Sequence, residues 1–467
     1  MMDPTATDFL QNDQELDMDR FRQEVEQVND DIDALRATDW DREPGSGRLS
    51  GLPITAKDNI TVQGMPATAG SKILEPYEPP FTATAAQRLE DEGAAVVAKT
   101  NQDEFGFGTF STNSAYEVPK NPHDTDRVTG GSSGGAAALT AALDEPHIAL
   151  GQSTGGSISC PAAFCGVVGL TPTYGRVSRY GLIDYANSMD KIGPITRSVQ
   201  DAALALEIIA GQDPRDFTTA ARDVPAFSDV EPKLHDKTIG VPEQYMAYDG
   251  VDDRVRDAVW TSIKRMEDLG ATVKEISLPK IAKEYALPAY YITAVAEAST
   301  NLARYCGMRY GLEDDPERTS YDDYFAEIRS EGFGEEAKRR ILLGTFARQA
   351  GYRDAYYIKA LKVRQLVIDE FRRGFKDVDM LAAPTMPIPA PTFDEAGDLP
   401  PAEVYAMDTL TVGPNLAGMP QLSLPTGTVD GMPIGTHLIG PQFGEKTLLE
   451  AGLAYEKHEG FIDTPEL

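Results

Sequence analysis

Apolar residues recur along this chain with two different periods. Phe21, Val25, Val28, Ile32 and Leu35 fall three or four apart, so the spacing predicts one amphipathic helix over about 16–36. Glu43–Gly51 carries Pro44, Gly45 and Gly47 and reads as a linker. From Leu52 onward the texture changes. Short apolar runs (Ala94–Ala98, Ile148–Leu150, Thr238–Val241, Thr272–Ile276, Met380–Ala383) predict strands, and the stretch ending at Lys57 reads as another. They alternate with helical patterns at Ala83–Glu92, Gly135–Ala142 and Val199–Ile209, which is the signature of an α/β domain whose sheet is covered on both faces. Residues 281–376 look mostly helical and end with a helix over Tyr352–Phe375, whereas 384–401, rich in proline and acid, reads as a surface loop. The division expected is an N-terminal helical segment and linker over 1–45, then one domain over 46–467. No repeat of fixed period is visible.

Composition changes that picture in one respect. At 467 residues and 41% apolar, the chain has ample material for a core, but 74 acidic residues against 43 basic ones leave a net charge of −31. Such a chain should repel nucleic acid and anionic membranes unless a partner supplies positive charge. The acid is spread along the sequence with no terminal block, so it is not an acidic tail; between an ordinary cytosolic protein that happens to be acidic and a salt-adapted surface, the second is favoured, since at 1 M salt the screening length falls to about 3 Å. Three cysteines (Cys160, Cys165, Cys306) make no disulfide framework and suit a reducing compartment. The start, MMDPTATDFLQNDQ, has no apolar core of a signal peptide, and no run approaches 18 apolar residues, so a cytoplasmic protein without membrane contact is expected.

The candidate chemistry lies in two glycine-rich segments. Gly130-Gly131-Ser132-Ser133-Gly134-Gly135 precedes an alanine-rich helical run, and Thr154-Gly155-Gly156-Ser157 precedes Ile158-Ser159-Cys160-Pro161. Each sets serine among residues that let a substrate approach the backbone, where N–H groups can meet a developing oxyanion. Ser133 also fits G-x-S-x-G, but that elbow needs a histidine late in the chain. Of the five histidines (His123, His147, His235, His437, His458), only the last two lie there, and neither sits in an evident catalytic loop. Lysine is the usual substitute base. Lys57 ends an apolar run, where burial would lower its pKa enough to leave it neutral. Cys160 and Cys165, with no histidine nearby, read as buried small residues rather than metal ligands, and no metal site is expected.

These residues resemble the amidase signature family, whose members use a Ser–Ser–Lys triad. The Lys57 strand, the GGSSGG run and the TGGS turn stand in the family's order and spacing. The similarity runs on through Ala163–Leu170, Pro172–Ser178 and Gly193-Pro194-Ile195, and covers most of residues 50–460. Within the family it looks closest to the A-subunit branch of the glutamyl/aspartyl-tRNA amidotransferases. Lys72-Ile73-Leu74, Asn101–Phe105, Ser178–Leu182, Arg339–Thr345, Gly351-Tyr352 and Asn415–Pro420 carry that likeness. The resemblance implies the amidase signature fold, an α/β structure with a central mixed β-sheet covered by helices on both faces.

It also implies roles. Ser157 would be the nucleophile, Ser133 the proton relay behind a cis peptide bond, and Lys57 the neutral base. The backbone of Thr154, Gly155 and Gly156 would form the oxyanion hole. Arg340 and Asp408 would bind the α-carboxylate and α-ammonium of glutamine, with Tyr290 lining the pocket. Ammonia so released would amidate misacylated tRNA on a partner. The implied assembly is a heterotrimer with subunits B and C, with tRNA held mainly by B, ATP and Mg²⁺ used on B, and no cofactor in this chain. A stand-alone amidase acting on another small amide, and a non-catalytic subunit, are the alternatives. Ser153 and Ser159 stand where the family usually has Asp and Arg. Gly440–Thr447 resembles a Walker A loop, but Glu445 interrupts it, so it reads as a strand-to-helix connection.

Overall fold

In the computed structural model of the chain, the short apolar runs assemble into one mixed sheet of eleven strands. The structure describes residues 5–12, 16–314, 320–461, 464–465 and 467; parts of the expected N-terminal segment (1–4 and 13–15) and of the helical region (315–319) lie outside them. The strands are β1 (Leu35–Thr38), β2 (Pro53–Lys57), β3 (Ala95–Thr100), β4 (Lys120–Asn121), β5 (Asp124–Val128), β6 (Ile148–Ser153), β7 (Val168–Thr171), β8 (Lys191–Thr196), β9 (Thr238–Pro242), β10 (Thr272–Ile276), β11 (Met380–Pro384), β12 (Gln421–Val429) and β13 (Met432–Ile439). The large sheet runs β1-β3-β2-β6-β8-β7-β12-β13-β11-β9-β10, and β4 and β5 form a separate ribbon.

The centre of the sheet explains its sequence. β2 pairs in parallel with both β3 and β6, and all three are buried along their whole length. Strands covered on both faces need continuous apolar runs rather than alternation. The polar residues they do carry gather at their carboxyl ends: Lys57 on β2, and Gln152 and Ser153 on β6. The register sets Ala56 against Leu150, so these ends lie side by side. Carboxyl ends of parallel strands are where α/β sheets place ligands.

The helices expected at Ala83–Glu92, Gly135–Ala142 and Val199–Ile209 appear as Thr84–Asp91, Gly134–Ala142 and Val199–Ile209. Gly440–Gly444 connects β13 to the helix Glu445–Glu459. Two expectations change. The helix expected over 16–36 spans Met18–Ile32, after a short helix over Ala6–Gln11, and stops where Asp33 turns left-handed (φ 52°), so Leu35 opens β1, which pairs with β3 at the edge of the main sheet. The N-terminal residues are therefore sewn onto the sheet, and the amides of Ala6 and Thr7 also donate to the Asp201 carboxylate at 3.1 and 2.7 Å. The segment 384–401 is also more than a surface loop. Thr385, Met386 and Ala390 are buried, the carbonyls of Pro387 and Pro391 accept from Asp252 and Val128, and Phe393–Asp398 is a capped helix. Its prolines provide fixed turns, with main-chain acceptors used by neighbouring elements.

A layer of long helices covers the carboxyl side: Lys283–Asn301, Tyr321–Gly332, Glu335–Arg348 and Lys359–Gly374. The last is preceded by a wide turn over Asp354–Ile358 instead of beginning at Tyr352. The helix Glu335–Arg348 is tied to the sheet loops at its first turn. Glu104, fully surrounded, accepts from Gly334 N–H with both oxygens (3.1 and 3.0 Å) and from Ser71 Oγ at 2.5 Å. Burial raises this carboxyl to about 7. No helix among the described residues is long and apolar enough to cross a membrane.

A second buried charge lies just beneath the strand ends. Lys99 Nζ donates to the carbonyls of Asp58 and Ile60 (3.1 and 2.7 Å), with Asp58 Oδ1 at 3.9 Å. Asp58 Oδ2 accepts from the amides of Thr68 and Gly70 and from the Thr68 hydroxyl. Replacing Asp58 by Ala strands a buried ammonium and three donors, so Asp58→Ala is expected to destabilise folding by about 3–5 kcal/mol. Urea unfolding checks this, and Asp58→Asn should lose less.

Candidate active site

Lys57 emerges at the end of β2 with no solvent contact. Its Nζ lies 2.7 Å from Ser132 Oγ, 3.1 Å from the Gln152 carbonyl and 3.3 Å from Gln152 Oε1. No carboxylate among the described residues pairs with it. Burial therefore dominates and lowers its pKa to about 7, against a partial upward pull from Asp103 and Asp190. This is the condition for a lysine to act as a base near neutrality.

The lysine's serine is Ser132, which corrects the sequence expectation of Ser133. The cis peptide bond lies between Gly131 and Ser132, one residue earlier than expected. Ser133 begins the helix Gly134–Ala142; its hydroxyl donates to the Gln152 carbonyl at 3.1 Å, and its amide donates to the Ser157 carbonyl at 3.2 Å. Ser133 thus fastens the two glycine-rich segments together, while Ser132 reaches the base. Gly131 has to be glycine for a steric reason, since a β-carbon there would fall 2.3 Å from Asp103 Oδ2. Asp103 itself accepts the amides of Ser111 and Asn113 at 3.0 and 2.9 Å, and burial raises its pKa.

Ser157 follows the turn after β6 and is 6% exposed, whereas Lys57 and Ser132 are at 0%. Of the three, only Ser157 can meet a substrate. The carbonyls of the turn are occupied: Thr154's accepts from Asn415, Gly155's from Ser153 Oγ at 3.0 Å, and Gly156's from Cys160 N–H at 2.7 Å. The N–H groups of Gly155, Gly156 and Ser157 have no partner among the described residues, which leaves donors at the position where an oxyanion would form. Ser153 thus braces the turn through its own hydroxyl, while Ser159 Oγ is buried without a partner.

The turn is roofed by the later chain. A β-carbon on Gly155 would lie 2.7 Å from the Tyr290 hydroxyl, and one on Gly156 would lie 2.5 Å from Thr411 Oγ1. Thr411 belongs to the helix Thr409–Leu416, for which Asp408 is the preceding residue. Asp408 Oδ2 accepts from Tyr291 at 2.7 Å and from Thr109 at 3.2 Å, and burial raises its pKa to about 6. Tyr290 and Tyr291 meet edge to face with ring centres 4.9 Å apart. Arg340 is enclosed by four rings, Phe107, Tyr185, Tyr291 and Tyr405, at 5.1–5.6 Å. Its Nε donates to Glu336 at 2.7 Å and its Nη1 to the Tyr185 hydroxyl at 2.5 Å; Nη2 has no partner among the described residues. Tyr290 and the helix after Asp408 therefore pack on the serine turn, and Tyr291 touches both Asp408 and the Arg340 guanidinium.

Several contributors were missed. Tyr291, Tyr185 and Tyr405 have no local signal, since aromatic residues at helical spacing read as core. Glu336 could have been found from its i, i+4 relation to Arg340. Gln152 and Asp190, at the ends of neighbouring strands, needed the register. None of the five histidines hydrogen-bonds to a serine of the site; His147 is held by Thr55 and Thr140, and His437 is buried on β13.

Together, the arrangement has a buried amine whose pKa burial lowers to about 7, a serine hydroxyl in contact with it, a second, partly accessible serine hydroxyl beside free amides, and a pocket with one cation and one carboxylate. This is the equipment of an amide hydrolase. The chain belongs to the Amidase family, whose profile matches residues 13–449. Among its relatives are proteins named as the A subunit of glutamyl-tRNA(Gln) amidotransferase. That of Methanococcoides burtonii is 48% identical over 413 residues, 88% of this chain and 86% of the relative. That of Moorella thermoacetica is 49% identical over 430 residues, 91% and 87%. The crystal structure of the protein of that name from Thermotoga maritima superposes with a TM-score of 0.84 at 36% identity, covering 99% of this chain and 97% of that one.

A reaction using Lys57 as base should gain rate as pH rises, because the protonated amine cannot accept. The expected kcat/KM profile rises with unit slope and levels above about 7. A flat profile between about pH 5 and 9 would remove Lys57 from the base role.

Proposed function

We propose that this chain is the glutaminase subunit of a tRNA-dependent amidotransferase, releasing ammonia for amidation of Glu-tRNA(Gln) or Asp-tRNA(Asn) on a partner. The observation that carries the reading is the pair Arg340 and Asp408 built around the Ser157 turn. A free amino acid presents a carboxylate and an ammonium, and a guanidinium fork and a carboxylate are their respective complements. The buried Arg340 keeps Nη2 uncommitted, and Asp408 precedes a helix that packs on the oxyanion turn. The names borne by the relatives support the same assignment.

In this reading Ser157 Oγ attacks the side-chain carbonyl carbon of glutamine. Its proton passes to Ser132 as Ser132 gives its own to Lys57, and the carbonyl electrons move to an oxygen held by the amides after Thr154. Collapse breaks the C–N bond; Lys57 returns the proton through Ser132 to the leaving nitrogen, which departs as ammonia. Water then attacks the glutamyl ester by the same route, restoring Ser157. The role first expected of Ser133 passes to Ser132, the one of the two serines that hydrogen-bonds to Lys57.

The remaining parts follow from this activity. Ammonia is useful only to a second active site, and the likeness to amidotransferase A subunits supports a cytoplasmic heterotrimer completed by subunits B and C. B holds most of the tRNA and uses ATP and Mg²⁺. This chain needs no cofactor for its own step. A net charge of −31 suits that division, since a zwitterionic substrate tolerates an acidic surface and tRNA does not.

Ser157→Ala should lower glutamine hydrolysis by at least about 10⁴-fold while the protein stays folded. Arg340→Ala should raise KM for glutamine by about 10–100-fold, the value of a lost charge-assisted hydrogen bond, and far less for an amide without an α-carboxylate. Equal effects on both amides would overturn the glutamine assignment. Purified from its source at high salt, the chain should bring down two smaller partners. Its glutaminase activity and melting temperature should both fall on dilution to about 0.1 M salt, as repulsion among surface carboxylates loses its screening. A salt-independent enzyme would count against the halophilic reading.

A further inference from the structure

The three neighbours of Lys57 Nζ are chemically unequal, and that inequality depends on one side chain. A neutral amine has two N–H bonds and one lone pair. The Gln152 carbonyl (3.1 Å) and Gln152 Oε1 (3.3 Å) can only accept hydrogen bonds, whereas Ser132 Oγ (2.7 Å) can accept or donate. With both N–H bonds directed to Gln152, the lone pair is left facing Ser132.

The amide of Gln152 is itself held in one orientation. Nε2 donates to Thr154 Oγ1 at 2.7 Å and to Asp190 Oδ1 at 3.2 Å. Thr154 spends its only hydroxyl proton on Asp190 Oδ1 at 2.6 Å, so it can only accept from Gln152. On the other side, Asn59 Nδ2 donates to Gln152 Oε1 at 3.2 Å. Turning the amide over would set oxygen against the Thr154 and Asp190 acceptors and NH₂ against two donors. Asp190 is anchored in turn, since its Oδ2 accepts the amides of Tyr185 and Ala186 at 2.9 and 3.0 Å.

We propose that the Gln152 side chain, fixed by Asp190 through Thr154, is the positioning residue that aims the Lys57 lone pair at Ser132. This rests on the amide-hydrolase reading above and adds what that reading lacks, a reason for the direction of proton flow. Without Oε1 the amine is free to rotate, and one of its N–H bonds can face Ser132 in place of the lone pair.

Two substitutions separate positioning from bulk. Gln152→Leu keeps approximate volume and removes the acceptor; kcat for glutamine hydrolysis should fall by about 10–100-fold with KM within about twofold. Gln152→Glu keeps the shape and sets a carboxylate beside the amine, which favours the ammonium. The rising limb of kcat/KM should move to higher pH by about one unit or more, with activity recovering above it. Thr154→Val, which removes the hydroxyl bridge to Asp190 and leaves only the direct 3.2 Å bond, should shift kcat in the same direction as Gln152→Leu, by less. Ser157→Ala is measured alongside. If it still releases ammonia, the hydrolase reading fails, and this inference with it. If Ser157→Ala is inactive and the Gln152→Glu limb has not moved, only the positioning role falls. A loss in Gln152→Leu that is shared between kcat and KM, and tracks a lowered melting temperature, would likewise assign Gln152 to packing. Should Gln152→Glu fail to fold, the kcat-against-KM split in Gln152→Leu decides alone.

Discussion

The structure is organised around an amine kept out of water without a counter-ion in contact. Isolating a lysine is costly, and the chain meets that cost with neutral acceptors from the end of β6 and from the glycine-rich loop that holds Ser132. β2 carries Lys57 to the sheet's carboxyl edge, β6 brings Gln152 beside it, and β3 supports both from the other flank. The carboxylates in the neighbourhood, Asp103 and Asp190, are engaged with backbone amides and with Thr154, and pull on the lysine only from a distance. Had either made a direct ion pair, the lysine would be held protonated and useless as a base. The glycine-rich loops are shaped by this requirement, because they must bring hydroxyls to the amine while admitting no larger side chain.

The contrast with Lys99 shows how fine the distinction is. Both lysines end or nearly end neighbouring strands, and both are fully buried. Lys99 has only main-chain carbonyls and a nearby carboxylate to contact, and burial lowers its pKa less, to about 8. It stitches the loop after β2 to the sheet. Lys57 differs in having a hydroxyl within reach, so that its proton has somewhere to go.

Much of this was legible in the sequence, and the exceptions have physical causes. Continuous apolar runs marked the buried strands because both faces of the sheet are covered, and the helix Val199–Ile209 was visible from its period alone. Lys57, Ser157, Arg340, Asp408 and Tyr290 were reached through family resemblance, and the fold brings all of them to one place. The choice between Ser132 and Ser133 was not available from the letters. Adjacent residues point in different directions, and which one meets the amine is set by the path of the backbone through Gly131. Leu35 was assigned to a helix because its spacing fitted, but the left-handed turn at Asp33 ends that helix and sends the chain to the sheet edge. Gln152 and Asp190 lie 38 residues apart and act as one unit only through strand register, which no local pattern records.

The clasp at Glu104 ties two parts of the molecule that are far apart in sequence. In the proposed reaction the bond-breaking atoms come from residues 57–157, and the groups that would choose which molecule is held come from Tyr290 onward. The two halves meet at several polar points, one being the carboxylate that caps the helix bearing Arg340. The proposed cutting machinery and recognition surface are therefore carried by separate stretches of the chain. A lineage could exchange its recognition helices for others and inherit an intact bond-breaking centre, provided that the cap at Glu104 continued to seat the new helix over the same serine.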